Sequence, residues 1–543
     1  MTVAARTGPA GTGLTGTGQL TRLALRRDRI GLPAGVYVIT VLVTVTAYGL
    51  KKLYPTADSR AALAATAGTN PALRFLYGRL DGASLGSLTT WRYGMWAGIF
   101  VSLMTIFVVI RHTRSDEEAG RLELVGSAAV GRQAALVAAL LTAAAASVAV
   151  AVLLCVTLPL VRLPAAGSAA LALAIGCCGL AFTGIAAVAA QLTSSARTAR
   201  GIALGALGVA FVLRGVGDSA GAGGPSWLSW ASPLGWIQLT RPFAAPRWWV
   251  LGLPLAVCLL GTGLAFELAA RRDHGAGLLP DRPGRATASD FLRGPFGLAW
   301  RLERGLLLGW VTGYAVTFVA CGAAAKGIGQ LLGTSSALQR EFSRLGGQAV
   351  IVNAYLAALM LLAGLVAAAY AISTILRLRT EETGDRAEPV LATETGRVRW
   401  ALSHIVLAVV GAALLLAVAG VATGLGYGLR AGSVGYQVGR MAGAALGQLP
   451  PALVLAAIAI LVFGLWPEAS VPAAWTALGL VVAIALFGQV LQLSHWVMDI
   501  SPFTHAPRLP GGTVSAAPLL WLCLLALALA AVGLAGLRRR DIG

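Results

Sequence analysis

Residues Ser115–Arg132 read SDEEAGRLELVGSAAVGR, and residues Thr380–Arg397 read TEETGDRAEPVLATETGR. With one residue inserted at Asp385, Glu117-Glu118-x-Gly120 falls on Glu381-Glu382-x-Gly384, Arg121 on Arg386, Glu123 on Glu388, and Gly131-Arg132 on Gly396-Arg397. A second echo follows at matching internal spacing: Trp227 and Ser232-Pro233 against Trp496 and Ser501-Pro502. Two echoes in register make the chain a repeat of about half its own length, with halves at 1–290 and 291–543.

Around these echoes run apolar segments long enough to cross a bilayer, which takes about twenty residues of helix. They lie near 31–50, 93–110, 134–161, 168–190, 201–216 and 248–270, and again near 305–325, 349–375, 401–425, 441–465, 473–493 and 516–537. Lipid offers no hydrogen bonds to a backbone, so runs of this length must be helices. The expectation is an all-α integral membrane protein of about twelve spans. Six spans per repeat is an even number, so both repeats face the same way, as parallel six-helix units forming a pseudo-dimer. The first run lacks a small-residue cleavage pattern and is read as a retained span.

Composition agrees. Of 543 residues, 57% are hydrophobic and 12% charged, and the mean hydropathy is +0.77, values of the membrane class rather than of a soluble domain. The net charge of +20 comes almost wholly from Arg placed in short stretches between spans, a pattern that anchors helix ends at headgroups rather than one that binds nucleic acid. The dense clusters Arg26-Arg27-Asp28-Arg29, Arg271-Arg272 and Arg538-Arg539-Arg540 put both termini in the cytoplasm by the positive-inside rule. All six cysteines fall in apolar runs and the histidines are scattered, so no disulfide framework and no metal site is expected.

The acidic stretches then fall on the cytoplasmic face. Ser115 with Glu118 is a capping-box spacing, Asp116 and Glu117 suit a helix first turn, and Glu117 to Arg121 is an i,i+4 pair. Thr380, Glu381 and Glu382 repeat the arrangement, with Glu382 to Arg386 as the pair and Pro389 ending the second helix early. Two short helices offering carboxylates suit docking to a soluble partner of complementary charge.

Six spans per half, a basic amphipathic stretch before the first span and a Glu-Glu-x-Gly helix between spans two and three resemble the type-2 permeases of ABC exporters. RHTRSDEEAGRLEL (111–124) resembles more narrowly the fused permeases of actinobacterial polyketide-antibiotic and multidrug exporters. The resemblance covers essentially the whole chain. It implies that Glu117, Glu118, Gly120, Arg121 and Glu123, with Glu381, Glu382, Gly384, Arg386 and Glu388, lie on coupling helices seated in two copies of a separate ATPase. It further implies efflux of hydrophobic compounds across the cell membrane, with ATP and Mg bound by the partner and no cofactor in this chain.

A phosphate-binding loop needs Lys followed by Ser or Thr. None of Lys51, Lys52 and Lys326 is so followed, so the chain is expected to perform no hydrolysis and to have no catalytic residues. Leu345-Gly346-Gly347-Gln348 copies part of an ABC signature by chance, and GTGLTGTG (11–18) reads as a flexible tail. Gly201/Gly205 and Gly443/Gly447 have the spacing of tight helix crossings. Gln191, Asn353, Tyr355, Gln448, Gln489 and Gln492 either line a path or hydrogen-bond between helices. Trp227, Ser232, Pro233, Trp496, Ser501 and Pro502 either form an outer gate or, for the tryptophans, anchor at the interface. A proton-coupled carrier is the alternative, weakened by the scarcity of carboxylates in the spans, of which Glu267 is one, with His404 near a helix end. A membrane-embedded lipid-modifying enzyme is a further one, for which no acid or histidine cluster stands out.

Overall fold

In the computed structural model the described residues are 13–69, 71–121, 130–220, 224–273, 275–279, 287, 289–332, 348–487, 494–512 and 515–540. Their regular structure is helical throughout. Among the described residues, twelve helices are long and apolar enough to cross a membrane. Six are Gly31–Leu53, Leu85–Glu118, Ala134–Leu160, Ala165–Leu192, Ala196–Ser219 and Trp248–Arg271. The others are Pro295–Ala325, Val352–Thr383, Arg397–Ala431, Val434–Leu465, Pro467–Ala485 and Ala516–Arg539. The chain is a multi-pass, all-α membrane protein. It divides into two compact units, Met1–Pro283 and Gly284–Gly543, each holding six spans.

In the first unit the fourth span, Ala165–Leu192, is the centre, with 78% of its most apolar window buried. It is rich in Ala and Gly, which lets the second, third and sixth spans approach closely. The sixth span lies outermost, 17% buried, and turns Leu259 and Leu260 outward, a face suited to acyl chains. In the second unit the most buried span is instead the second, Val352–Thr383, at 72%, while the last span, Ala516–Arg539, is again the least buried at 17%.

Close helix crossings occur where the backbones themselves touch. A Cβ on Gly184 would lie 2.9 Å from the Cys258 carbonyl oxygen, and one on Gly261 would lie 2.9 Å from the Gly184 backbone. A Cβ on Gly533 would come within 2.6 Å of the Ile460 carbonyl oxygen, and one on Gly464 would collide with Gly533. The fourth and sixth spans of each half therefore cross at glycine. The pairs expected from spacing do not do this: Gly201, Gly205 and Gly443 face open space, and Gly447 meets mainly its own helix. Four-residue spacing puts glycines on one helix face, but that face need not meet a neighbour.

Two further expectations change. The glycine-rich N-terminal stretch is tied down from Gly13 on, since the amides of Gln133 and Gly131 donate to the carbonyls of Gly13 and Thr15, and a helix, Thr17–Arg27, starts within it. The fifth span runs past 216 and carries a buried charge pair, Arg214 and Asp218, 3.4 Å apart. A hydropathy window ended that span early because it penalises the two charges it contains. Of the Leu345–Gln348 segment, all but Gln348 lies outside the described residues.

Candidate functional site: two acidic turns and the arginines that hold them

The second span does not stop where its apolar run ends. It continues through a π-helical stretch, Arg111–Ser115, into Asp116–Glu118. Ser115 is thus inside a helix, with helical φ and ψ and no capping hydrogen bond. The expected capping box cannot form without a chain entry for it to cap. The Ser115 hydroxyl instead accepts from Arg200 (2.7 Å). The helix ends at Gly120, whose φ of +68° is the left-handed turn that stops a helix.

Two of the three carboxylates of this turn, Asp116 and Glu117, point inward. Asp116 takes both nitrogens of Arg27 (2.7 and 3.1 Å), binding the N-terminal helix to the turn, and accepts from Arg121 (3.0 Å). The hydrogen bond to Asp116 raises the Arg27 guanidinium above its ordinary value. Glu117 receives Arg272 on both oxygens (2.7 and 2.9 Å), Arg114 (3.0 Å) and the Gly275 amide (2.7 Å). Asp28 closes the network against Arg111 and His112, each at 2.6 Å. Glu118 faces outward and accepts from the Ala196 amide (3.2 Å) at the start of the fifth span. A cleft of ≈ 750 Å³ opens beside the turn, lined by Leu20, Glu117, Arg132, Gln191 and Arg272 among others.

In the second unit Glu381 meets Arg377 (3.2 Å), the indole of Trp400 (3.3 Å) and His404 (3.5 Å), and Arg377 reaches the buried Glu303 (2.9 Å). Glu382 accepts from Arg540 (2.6 Å) and Arg379 (3.3 Å). Asp385 takes the left-handed conformation, φ +53°. A short helix Glu388–Leu391 follows, with Pro389 in its first turn. Proline starts this helix rather than ending one, because its missing N–H lies where a first turn has no partner for it.

These contacts correct the register read from the letters. Glu117 and Glu382 each hold the arginine three residues before them (Arg114, Arg379) and the arginine just past the last span of their unit (Arg272, Arg540). Asp116 and Glu381 each sit one turn after a basic residue, His112 or Arg377, that meets a buried acid, Asp28 or Glu303. One constant shift in numbering then matches Asp116-Glu117 to Glu381-Glu382, Gly120 to Asp385, Arg121 to Arg386 and Arg132 to Arg397. No insertion at Asp385 is needed. Matching Gly120 to Gly384 was misleading: Asp is one of the few residues that tolerates the left-handed position, so Asp385 fills it in the second half. The expected i,i+4 pairs also change, since Arg121 goes to Asp116, and Glu382 goes to Arg379 and Arg540.

What each turn presents outward is Glu118, Ala119 and Arg121 in the first unit, and Thr383, Gly384, Asp385, Arg386 and Glu388 in the second. Glu123 lies outside the described residues. A further matched contact ties the last span: Arg132 donates to the Arg272 carbonyl (2.9 Å), and Arg397 to the Arg540 carbonyl. The network residues that sequence reasoning did not assign to the site are therefore Asp28, Glu303, Arg114, Arg272, Arg379 and Arg540, with Asp116 read only as a first-turn acid. Arg recurs just past both last spans, at Arg272 and Arg540, a sequence signal that serves charge bias and turn binding alike.

The remaining candidates lie apart from the turns, with one exception. Gln191 belongs to the network, its side-chain oxygen accepting from Arg272 (2.6 Å). Asn353 accepts from Arg440 (2.9 Å), and the Tyr355 hydroxyl donates to the Cys321 carbonyl (3.1 Å), so both bond between helices. Gln448 is buried beside Gly364, and Gln489 and Gln492 lie outside the described residues. Ser232 caps the short helix Pro233–Leu239 and donates to the Ala210 carbonyl (2.6 Å). Ser501 is buried at the start of the turn Pro502–His505. Trp227 and Trp496 project outward, 66% and 87% exposed, as interfacial anchors do.

The model of the family described as "Multidrug efflux system permease Rv1217c, C-terminal domain" matches residues 23–266 and 292–538. The multidrug efflux system permease protein Rv1217c of Mycobacterium tuberculosis is 44% identical over 533 residues, covering 98% of this chain and 96% of that protein.

Proposed function

We propose, from the premise that the chain belongs to the family of the multidrug efflux system permease Rv1217c, that it is the membrane part of an ATP-driven exporter and that its two acidic turns seat two copies of a separate ATPase. The chain is a permease of the multidrug efflux class, not an enzyme. The observation that carries the ATPase reading is the duplicated turn itself. Each half holds a short turn with the same internal ion pairs while leaving a few residues exposed at its tip. Two equivalent, rigidly held projections suit two copies of one partner. Rigid support matters because a turn that must convey movement loses the stroke if it bends on its own mounting.

On this reading the turns face the cytosol, both termini lie on that side, and the membrane is the plasma membrane, as the arginine clusters support. Docking rests on the exposed tips rather than on the four inward carboxylates. The partner binds ATP and Mg, and its closure switches the permease between inward and outward exposure. The cargo is hydrophobic small molecules.

The test is to co-express the chain with its ATPase and place arginine at the matched exposed positions, Glu118→Arg with Thr383→Arg. The chain is expected to remain folded in the membrane, as judged by gel filtration in detergent, while ATPase retention on the purified permease and drug efflux both fall. Unchanged retention and efflux would remove the docking assignment.

A further inference from the structure

We propose that the last span of each half is a lever worked by its acidic turn, with Arg272 and Arg540 as the pins that join turn to lever. The proposal rests on the coupling role given to the turns above and assigns the route by which their movement enters the membrane.

Arg272 and Arg540 are each the first residue past a last span, Trp248–Arg271 or Ala516–Arg539. Their side chains grip Glu117 and Glu382 at 2.7 and 2.6 Å, with both partners of each pair largely buried. Their carbonyls are held from the other side by Arg132 and Arg397, at or just before the start of the third span. The end of each last span is thus fixed to the turn by a charge-assisted pair. Glu117 and Glu382 receive a second arginine from the turn's own helix, Arg114 or Arg379, so neither can follow the last span without carrying its helix along.

Elsewhere the last spans are the least embedded of their units, 17% buried in both cases. Their close crossing with the rest is glycine on glycine, Gly184 with Gly261 and Gly464 with Gly533. At such a crossing the backbones themselves are in contact and the last span packs along one face only, through Ala265 and Phe266 in the first half and through Leu522, Ala526 and Leu537 in the second, so a tilt about the glycines disturbs few side chains. From pivot to pin is about 17 Å in the first half and about 10 Å in the second at 1.5 Å per residue. From Gly261 to the far end at Trp248 is about 20 Å on the same rise. A helix pinned at one end, crossing its neighbour at glycine and facing lipid over most of its remaining surface passes a displacement at the pin to its far end. The same three features occur in both halves, built from different neighbouring residues.

The test uses the whole exporter, chain plus ATPase, in proteoliposomes. The pins are cut with Arg272→Gln and Arg540→Gln together, and Arg272→Lys with Arg540→Lys restores the charge. The glutamine pair is expected to keep its ATPase and to hydrolyse ATP, but to transport at least tenfold more slowly and to lose drug stimulation of hydrolysis. The lysine pair is expected to recover most of the transport. Transport within twofold of the unmodified exporter in the glutamine pair would overturn the lever while leaving docking intact. Loss of ATPase retention would show that the arginines serve docking and would also overturn it. Should the glutamine pair fail to fold, spin labels at Val45 and Leu255, both exposed on the first half, decide the matter in a chain that keeps both arginines and has its six native cysteines changed to alanine. Their separation is expected to change by several ångströms on adding ATP with vanadate, and an unchanged separation rejects the lever.

Discussion

Asp218→Asn is the most informative single change outside the turns. Asp218 and Arg214 are 2% and 0% exposed and 3.4 Å apart. Asp218 also accepts from Ser229 (2.7 Å) and faces Arg79 (3.5 Å), while Arg214 donates to the Phe75 carbonyl (2.5 Å). The pair therefore pins the segment 71–79 and the turn at 226–229 to the fifth span. At an effective dielectric of ~20 the Coulomb attraction is about 5 kcal/mol. Asparagine keeps the shape and the Ser229 bond, so the change isolates charge. Removing one partner of a buried pair costs roughly 3–5 kcal/mol, because the other is left uncompensated, whereas replacing both with apolar residues is near neutral. Unfolding of purified chain, followed by dye reaction at the buried Cys177 and Cys178, should shift down by about 6 °C or more at ~2 °C per kcal/mol. Arg214→Met with Asp218→Leu should regain most of that, and drug efflux below the transition should persist in Asp218→Asn. If Asp218→Asn melts like the unmodified chain yet abolishes efflux, the carboxylate is a working proton site and the structural reading of the pair fails.

Two other expectations follow from the packing. Asp116→Asn removes the anchor of Arg27 and should free the N-terminal helix by about 2 kcal/mol, the value of a charge-assisted pair with one partly exposed member. Hydrogen exchange at residues 17–27 should then speed by roughly 30-fold, and unchanged protection would show that the helix is held by other contacts. Gly464→Val sets a side chain against the Gly533 backbone and should destabilise the second half by at least ~1–3 kcal/mol. Gly479→Val faces open space and should be tolerated, so equal effects of the two would deny the glycine crossing.

The spans were legible because twenty apolar residues have one way to satisfy their backbone in lipid. Their ends were less so. The second span starts at Leu85, ahead of the expected 93, since Ser87, Thr89, Thr90 and Trp91 are buried although they lower a hydropathy window. The duplication was visible in the letters, but its register was not, because what repeats is a left-handed turn filled by Gly120 once and by Asp385 the second time. The carboxylates were identified as a set and assigned outward, whereas Glu117 and Glu382 face arginines more than 150 residues away. Sequence spacing reports neighbours on one helix, and these partners meet only through the packing of the fourth span against the last.

The most direct measurement of the central claim is sidedness at the two tips. Glu118→Cys and Thr383→Cys occupy matched exposed positions and can be placed one at a time in a chain whose six cysteines are changed to alanine. A membrane-impermeant maleimide is expected to label both in inverted vesicles and neither in intact cells. Labelling of one tip from each side would contradict a pair of equivalent cytosolic turns, and with it the account of two ATPase seats.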